Sequence, residues 1–414
     1  MCGFVVIIDR KNTIVHQLLA KMTNTLSHRG PDGEGYAIFS NTPHSSYPNY
    51  ISSISHQNTT NIGFGHRRLS IYDTSDAGKQ PMQYKGYWIV FNGAIYNFVE
   101  IKKELKKEGY VFYTNTDTEV IIAAYDYWGE KCLSKFNGMW AFVIYNPNTQ
   151  SLFISRDRFA IKPLYYYQNE NILIFASEIK ALLHHPAVKT KPNMDYIQLY
   201  QKTSDLEHLK ETSFQNIYRF NRASYYQENI NSTLNFKEQV FWELKEKSYS
   251  NLSINDATEQ YFELLQNAVK LRLRADVKVG AALSGGLDSS SIVYLINQLQ
   301  KESNTTSLLE TFSSVYPSKD YSDCDESIYI NELSKTLNVH SNQIEPKAEN
   351  IIEEYIKMIY HLENPPPNTL MSSWHTFKLV NQHRIKVSLD GQGADEQLAG
   401  YLKYIMAYQR QSSL

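Results

Sequence analysis

The chain has 414 residues, of which 42% are hydrophobic and 20% are charged. At roughly 150 residues per domain this length predicts two or three domains, and the composition excludes an intrinsically disordered chain. The 41 lysines and arginines nearly balance 43 acidic residues, for a net charge of -2. Nucleic acid and anionic membranes are therefore poor candidate partners.

Cysteine usage and hydropathy predict a cytoplasmic protein. The three cysteines, Cys2, Cys132 and Cys324, are too scattered for a disulfide framework and lack metal-ligand spacing. The N-terminal apolar run at 4–8 is too short for a signal peptide, and no stretch approaches the roughly 20 apolar residues of a membrane span.

Up to about residue 185, short strands joined by tight turns predominate. The predicted strands are 4–9, 35–39, 87–91, 139–145, 152–156, 164–167 and 172–176, with hairpin turns at 146–149 and 168–171. The predicted helices 13–26, 98–108 and 118–127 can cover the faces of the resulting sheets. We therefore expect an antiparallel, layered α+β domain.

The pattern changes in the second half of the chain. Residues 190–255 are irregular and rich in Asn, Ser, Gln and Tyr, which predicts a connector with a few strands of its own. Beyond it we predict helix 257–273, strand 277–283, helix 289–300, strand 311–316, helix 326–337, strand 386–389 and a helix from 395 onward. Strands that alternate with helices predict a parallel sheet.

Cys2 directly follows the initiator methionine. Removal of Met1 would leave a cysteine whose own α-amine, with a pKa near ~7.7–8.0, can take the thiol proton. A lone cysteine at this position is more often an ordinary small residue, so the interpretation depends on the motifs that follow.

Four motifs follow Cys2 in order: HRGPDG at 28–33, GHRRLSI at 65–71, FNGAIYN at 91–97 and NTDTEV at 115–120. Together with Cys2 they resemble the class II glutamine amidotransferase domain, an N-terminal nucleophile hydrolase with αββα layers. The resemblance implies that Cys2, Asn92 and Gly93 are catalytic. It implies glutamine binding by Arg68, Leu69, Ser70, Ile71, Tyr72, Asn92, Gly93, Ala94 and Asp117.

The residue types suit that chemistry. The side-chain N–H of Asn92 and the main-chain N–H of Gly93 would stabilise the oxyanion, at ~2.7–4 kcal/mol per donor. Arg68 would bind the α-carboxylate of glutamine and Asp117 its α-ammonium. A surface salt bridge for Arg68 and a helix N-cap for Asp117 are the alternatives. The chain departs from the family at Ala94, where Glu is usual, and in a later motif at Ala160, where Gly is common.

A second motif, LSGGLDSS at 283–290, lies between a predicted strand and a predicted helix. Glycines, serines and a helix N-terminus together suit a pyrophosphate. The motif lacks the lysine of a Walker sequence and resembles the loop of ATP pyrophosphatases, in an α/β adenine-nucleotide-hydrolase-like domain. With DGQGADE at 390–396, the resemblance implies ATP contacts at Leu283, Ser284, Gly285, Gly286, Asp288, Ser289, Ser314, Asp390 and Gly391, and Mg²⁺ ligation by Asp288 and Asp395.

Both halves together resemble the glutamine-hydrolysing asparagine synthetase family over nearly the whole chain. This implies an amidotransferase domain at 2–205, a connector at 206–255 and a synthetase domain at 256–414, the last shorter than in the family and without its lysine-bearing segment. The implied reaction uses ammonia from glutamine to amidate an ATP-adenylated aspartate, with AMP and pyrophosphate as products.

Gln392 stands where asparagine synthetases typically have Glu, and Gln cannot act as a base. The alternatives are therefore an amidotransferase that acts on a uronic acid or a peptide carboxylate, and a remnant that only hydrolyses glutamine. The expected partners are small-molecule substrates, and a homodimer is left open.

Overall fold

The computed structural model describes residues 1–11, 14–39, 49–50, 59–203, 206–230, 236–245, 251–303, 307–318, 323–347, 349–364 and 370–412. The chain divides into two compact units. The first comprises Met1–Ser248 and Glu363–Pro367, and the second Tyr249–Leu362 and Asn368–Leu414. In these ranges no helix combines the length and hydropathy that crossing a membrane requires.

The first unit contains two large antiparallel sheets. Its strands are β1 (Gly3–Asp9), β2 (Ile14–Val15), β3 (Gly33–Phe39), β4 (Asn49–Tyr50), β5 (Thr59–Thr60), β6 (Ile62–Arg68), β7 (Met82–Tyr84), β8 (Tyr87–Ile95), β9 (Gly138–Asn146), β10 (Ser151–Arg156), β11 (Tyr165–Gln168), β12 (Ile172–Ala176), β13 (Ile217–Arg219), β14 (Ser224–Asn229) and β15 (Gln239–Val240). One sheet has seven strands in the order β13-β11-β12-β1-β6-β3-β4. The other has six, in the order β15-β14-β10-β9-β8-β7, and β2 pairs with β5.

Helices cover the outer faces of both sheets. They are α1 (His16–Asn24), α2 (Phe98–Lys107), α3 (Asp117–Trp128), α4 (Cys132–Lys135), α5 (Ile179–Leu183) and α6 (Met194–Thr203), with 3-10 turns at Asp76–Gly78 and Gly129–Lys131. The observed helix α1 is shorter than the predicted helix 13–26, and Thr13 lies outside the described residues.

Side-chain alternation along the strands builds the layers. Val6 and Ile8 of β1 pack with Val90 of β8 between the two sheets, whereas Ile7 packs against α1 and Phe91 against α3. Because successive side chains of a strand point to opposite faces, each central strand is buried on both sides. The order of layers is helix, sheet, sheet, helix, which confirms the expected αββα architecture.

The second unit has a single parallel sheet. Its strands are β16 (Val279–Ala282), β17 (Glu310–Ser314), β18 (His340–Ile344) and β19 (Val387–Leu389), in the order β18-β17-β16-β19. Its helices are α7 (Ile254–Arg272), α8 (Leu287–Glu302), α9 (Ser327–Leu337), α10 (Ile351–Leu362), α11 (Met371–Gln382), α12 (Ala394–Leu398) and α13 (Leu402–Ser412). All strand pairs of this sheet are parallel, as the alternating pattern predicts.

The structure differs from the expectations in several elements. Elements absent from the predicted set are β2, β4, β5, β6, β7, β18, α4, α5, α6, α10 and α11, of which β6 carries Arg68. The single helix predicted from 395 onward is wrong, because Ala399 adopts a left-handed conformation (φ 56°) and separates α12 from α13. Residues 206–255, which the sequence analysis sets apart as a connector, supply β13, β14 and β15 to the sheets of the first unit.

Candidate functional site

Cys2 lies directly before β1, beside the end of β6. Antiparallel pairing places Gly3 opposite Arg67, which brings Cys2 next to the residues after Arg68. The Leu69 N–H donates a 3.3 Å hydrogen bond to Cys2 Sγ, and the thiol donates to the Leu69 carbonyl oxygen at 3.6 Å. Burial raises the pKa of the Cys2 thiol, so a nearby base is needed to form the thiolate at neutral pH.

Met1 shows the environment of the main-chain amine at this end of the chain. Its α-ammonium donates a 3.0 Å hydrogen bond to the Arg29 carbonyl oxygen. Burial lowers the pKa of this ammonium to about 5, with smaller contributions in the same direction from the charges of Arg29 and Lys162. An amine in this position is therefore favoured in its neutral form.

A buried ion pair supports the main chain of Cys2. Arg29 Nε donates to the Cys2 carbonyl oxygen at 2.9 Å, and its Nη1 donates to Glu178 Oε1 at 2.8 Å. Glu178 also accepts from Lys180 at 2.6 Å and lies 3.1 Å from His28 Nε2. Burial by itself would raise the pKa of Glu178, but His28, Arg29 and Lys180 outweigh it and lower that pKa to about 2.

The motif at 28–33 also holds the turn that follows β6. Asp32 Oδ2 accepts from the Ser70 N–H at 2.7 Å, and the Asp32 N–H donates to the Arg68 carbonyl oxygen at 3.0 Å. Gly30 lies so close to the main chain of Arg67 and Arg68 that a Cβ atom would not fit. The main-chain N–H of Ser70 therefore serves the fold in this structure.

Asn92 and Gly93 lie on β8, where β9 pairs with it. Asn92 is 0% exposed, and neither its amide nitrogen nor its amide oxygen has a hydrogen-bond partner among the described residues. A buried polar group without a partner is rare in a folded protein because it costs the full desolvation penalty. The Met139 carbonyl and the Phe91 ring leave no room for a Cβ atom on Gly93.

Both main-chain polar groups of Phe91, the residue before Asn92, have side-chain hydrogen-bond partners. Gln80 Oε1 accepts from the Phe91 N–H at 2.7 Å, and His66 Nε2 lies 3.1 Å from the Phe91 carbonyl oxygen. Burial lowers the pKa of His66 to about 4, so the imidazole is neutral. Because a carbonyl only accepts, His66 carries its proton on Nε2. These contacts fix the main chain that presents the Asn92 amide.

Arg68 is buried, and its terminal nitrogens bind main-chain oxygens. Nη1 donates to Ser75 at 2.7 Å, and Nη2 donates to Asp73 at 2.5 Å and to Tyr72 at 3.3 Å. The guanidinium lies against Gly78 and occupies the space that a Cβ atom at position 78 would fill. The guanidinium therefore forms no surface salt bridge; its role as a clamp for a carboxylate stays a prediction.

Asp117 is the first residue of α3. The N-cap is Thr116, whose hydroxyl accepts from the Glu119 N–H, and not Asp117. Asp117 is 4% exposed and accepts from the Ile95 N–H at 2.9 Å. Burial raises its pKa to about 7, and its charge also raises the pKa of the Cys2 thiol. A bound cation would favour the ionised carboxylate.

The other predicted glutamine contacts surround these groups. Leu69, Ile71 and Tyr72 are half-buried, and the Tyr72 ring packs against Phe98 at 5.0 Å. Ala94 is buried and offers no charged group. Their contact with a substrate stays a prediction.

In the second unit, the loop at 283–290 connects β16 to α8. Gly285 has φ +87°, a left-handed conformation that favours glycine. The Ser284 N–H donates to Ser289 Oγ at 3.1 Å, and the Ser289 hydroxyl donates to the Gly286 carbonyl oxygen at 3.2 Å. Leu283 is buried at the end of the strand. The loop therefore presents its main chain at the N-terminus of α8, which suits an anion.

The loop after β19 meets this one. Parallel pairing aligns Leu389 with Ala281, so the two strands end at the same edge of the sheet. A Cβ atom on Gly391 would lie 2.8 Å from both the Asp288 Cβ and the Ser289 nitrogen. The structure thus brings Asp288 together with the Asp390-Gly391 pair, as the resemblance implies for a nucleotide site.

Asp395 and Ser314 complete the predicted set. Asp395 lies in α12 with Oδ1 against Gly400, whereas Ser314 ends β17 and donates to the Ser372 carbonyl oxygen at 3.0 Å. Across the described ranges, no group of three or more His, Cys, Asp or Glu side chains could hold a metal ion. Two carboxylates are nevertheless suitable ligands for Mg²⁺, which takes the rest of its coordination from phosphates and water.

Sequence reasoning missed the residues that act through others. Arg29 lies in the motif at 28–33 and Lys162 in the motif at 156–163, but nothing in the sequence pairs Arg29 with Glu178, 149 positions away, or Lys162 with Met1, 161 positions away. His66 was visible only as one letter of GHRRLSI. Motif membership was the available signal, and the tertiary contacts supply the roles.

The glutamine amidotransferase domain family matches residues 52–242, and the asparagine synthase family matches residues 260–414. A putative glutamine-hydrolysing asparagine synthetase of Methanocaldococcus jannaschii is 34% identical over 99% of this chain and 77% of its own length. Asparagine synthetase 1 of Bacillus subtilis is 30% identical over 98% of this chain and 59% of its own length. The amidase chry2 of Gibberella zeae is 32% identical over 91% of this chain and 54% of its own length.

Proposed function

Because the chain belongs to the asparagine synthetase family, we propose that it releases ammonia from glutamine at Cys2 and uses it to amidate an ATP-activated carboxylate. The observation that carries the first half is the buried, unpartnered amide of Asn92 beside Gly93. A ligand oxygen that accepts from both N–H groups would satisfy them, and the tetrahedral intermediate of amide hydrolysis provides one.

The proposed glutaminase reaction begins when Met1 is removed. The α-amine of Cys2 takes the proton of the thiol, and Sγ forms a bond to the amide carbon of glutamine. The negative charge passes to the amide oxygen, where Asn92 Nδ2–H and the Gly93 N–H stabilise it. The amine then returns the proton to the leaving nitrogen, ammonia departs, and water hydrolyses the thioester to glutamate.

Two side chains would select glutamine. The buried carboxylate of Asp117 suits the α-ammonium, and Arg68, at the end of β6, is proposed to bind the α-carboxylate in exchange for its present main-chain contacts. Burial strengthens both interactions because the local dielectric constant is low. With Ala94 in place of the usual Glu, Asp117 is the carboxylate proposed to bind the ammonium.

The second unit would bind ATP. The 283–290 loop would hold the pyrophosphate, and Asp288 and Asp395 would hold Mg²⁺, which shields the charge of the phosphates. A carboxylate oxygen of the acceptor forms a bond to the α-phosphorus of ATP, and pyrophosphate leaves. Ammonia then displaces AMP to form the amide. Leu283, Ser314 and the main chain of Asp390 and Gly391 would contact the nucleoside.

Aspartate is the proposed acceptor, by analogy with the relatives named asparagine synthetase. A uronic acid or peptide carboxylate is the alternative, because Gln392 is exposed at the position where the family typically has Glu. A relative named as an amidase supports this second candidate.

The test combines glutamine, MgATP and a panel of carboxylates with the purified chain and identifies any amide by mass. Cys2→Ala should abolish glutamate release and leave the thermal unfolding temperature unchanged, whereas Cys324→Ala, at an exposed cysteine, should keep the activity. Asp288→Ala should spare glutamate release and remove ATP-dependent pyrophosphate release. Glutamate release by Cys2→Ala at the wild-type rate would overturn the proposal.

A further inference from the structure

Lys162 is a buried lysine whose side chain reaches the N-terminus. It is 4% exposed, and its Nζ lies 2.9 Å from the Met1 Sδ atom. Among the described residues, no carboxylate oxygen lies within ion-pair distance of this Nζ. A buried ammonium without an anionic partner is unfavourable, so its retention needs a reason.

The neighbouring carboxylate is already occupied. Asp157 Oδ1 accepts from the main-chain N–H groups of Phe159 and Ile161, and its Oδ2 accepts from those of Trp140 and Lys162. Four main-chain donors therefore satisfy Asp157, and they hold the loop that carries Lys162. The carboxylate contributes its charge to the surroundings of the Lys162 ammonium, but its hydrogen bond to Lys162 is made with the main-chain N–H and not with Nζ.

Arg156 fixes the same loop from the other side. Its Nε donates to the Lys162 carbonyl oxygen at 2.7 Å, its Nη1 to that of Phe220 at 2.6 Å, and its Nη2 to that of Ala160 at 3.0 Å. The main chain of Lys162 is therefore anchored at both its N–H and its carbonyl group. This anchoring directs the side chain toward the residue that precedes Cys2.

Removal of Met1 would leave Lys162 facing a different group. The thioether would be gone, and the α-amine of Cys2 would become the chain terminus in the same region. The charged and titratable groups that act on Lys162 are Arg29, Cys2 and Asp157, and those that act on the Met1 amine are Cys2, Arg29, Lys162 and Asp32. Arg29 and Lys162 oppose the protonation of the Met1 amine, whereas Cys2 and Asp32 favour it.

We propose that Lys162 is a positioning residue of the glutaminase site, whose ammonium keeps the α-amine of Cys2 unprotonated so that the amine can accept the thiol proton. This inference rests on the proposed function. A like charge disfavours the charged form of its neighbour, and the same ammonium favours the thiolate. Burial lowers the pKa of Lys162 to about 8, so Lys162 is still protonated in most molecules at pH 7.

The test compares Lys162→Met, which removes the charge at similar length, with Lys162→Arg, which keeps it. Glutamate release is measured from pH 5.5 to 9. In Lys162→Met the acid-side midpoint of kcat at saturating glutamine should rise by about one pH unit, as expected for loss of a nearby like charge. Lys162→Arg should keep the wild-type midpoint, as should Lys107→Met, which removes an exposed charge from α2.

A second readout does not need glutamine turnover. In the Cys324→Ala background, which removes the exposed cysteine, the rate at which iodoacetamide alkylates Cys2, followed by intact mass across the same pH range, reports the thiolate. Alkylation near pH 7.5 should slow about tenfold in Lys162→Met if the thiol pKa rises by about one unit. If the wild type releases no glutamate but this shift is present, the proposed function fails and only the electrostatic effect of Lys162 on the Cys2 thiol stands.

Two results would overturn the inference. One is an unchanged alkylation profile and an unchanged kcat midpoint in folded Lys162→Met. The other is an equal shift in Lys162→Arg, which would show that packing and not charge is responsible. If Lys162→Met fails to fold, Lys162→Gln replaces it, with the same expected shift.

Discussion

Arg29 Nε donates a 2.9 Å hydrogen bond to the main-chain oxygen of Cys2. The same guanidinium binds Glu178, which lies 149 positions away in the sequence, directly before α5. The candidate nucleophile is therefore held by a buried charge pair that joins the start of β1 to the end of β12. The contribution of this pair to the free energy of unfolding can be measured.

Arg29→Ala should lower the free energy of unfolding by about 2 kcal/mol, because it removes buried charged hydrogen bonds to Glu178 and to the Cys2 carbonyl oxygen, while Lys180 still pairs with Glu178. The matched control is Arg67→Ala, which breaks a pair with the half-exposed Glu34 and should cost about 1 kcal/mol or less. Chemical denaturation of both variants measures the difference. Equal losses would show that burial does not distinguish the two pairs.

Glu178 should make the first unit sensitive to acid. Its pKa is about 2 in the folded chain, below the ordinary value of 4.5, so the ionised form contributes stability above pH 4.5. That contribution is lost as the pH falls from 4.5 towards 2. The unfolding temperatures of the wild type and of Glu178→Gln should differ by less and less as the pH falls across this window. A constant difference between the two unfolding temperatures would contradict the assignment.

Asp117→Asn should stabilise the empty protein and impair glutamine binding. The folded pKa of Asp117 is about 7, above its ordinary 3.8, so folding carries a penalty that grows from pH 4 to pH 7 and then stays constant. The unfolding temperature of the variant should exceed that of the wild type at pH 8 and equal it near pH 4. Its KM for glutamine should rise at least tenfold, as expected for loss of one charged hydrogen bond.

The wild type provides a second check on Asp117. Protonation of the carboxyl below pH 7 removes the group proposed to bind the α-ammonium. The KM for glutamine should therefore rise as the pH falls, and it should be independent of pH in Asp117→Asn. A pH-dependent KM in that variant would assign the effect to another group.

Ala160→Gly should stabilise the chain by about 0.5–1 kcal/mol, because Ala160 holds φ at +55° and glycine adopts this conformation without steric cost. Ala257→Gly provides the contrast: it lies in the exposed interior of α7, where the same change should cost about 1 kcal/mol. Denaturant midpoints measure both. Destabilisation of Ala160→Gly would mean that the methyl group packs favourably enough to offset the strained backbone.

Strand β6 is absent from the strands predicted from the sequence, and two of its glycines explain why. Gly63 and Gly65 interrupt the alternation that marks a strand, and the structure explains them: a Cβ atom at either position would press on Leu19 or Thr23 of α1. Close approach of a helix to a sheet selects glycine where a β-branched residue would otherwise favour the strand. That approach exists only in the folded layers.

The amino-acid sequence by itself determined the local elements and the chemistry available to them. Alternating apolar residues specify strands such as β1 and β8, and the ordered motifs specify which side chains surround Cys2 and the 283–290 loop. These features depend on neighbours along the chain, so a single sequence reveals them. Tertiary structure decided which charges meet. Glu178 binds Arg29, His66 holds the carbonyl before Asn92, and Lys162 reaches the N-terminus, because antiparallel register and layer packing bring distant segments together, and no local pattern records such contacts.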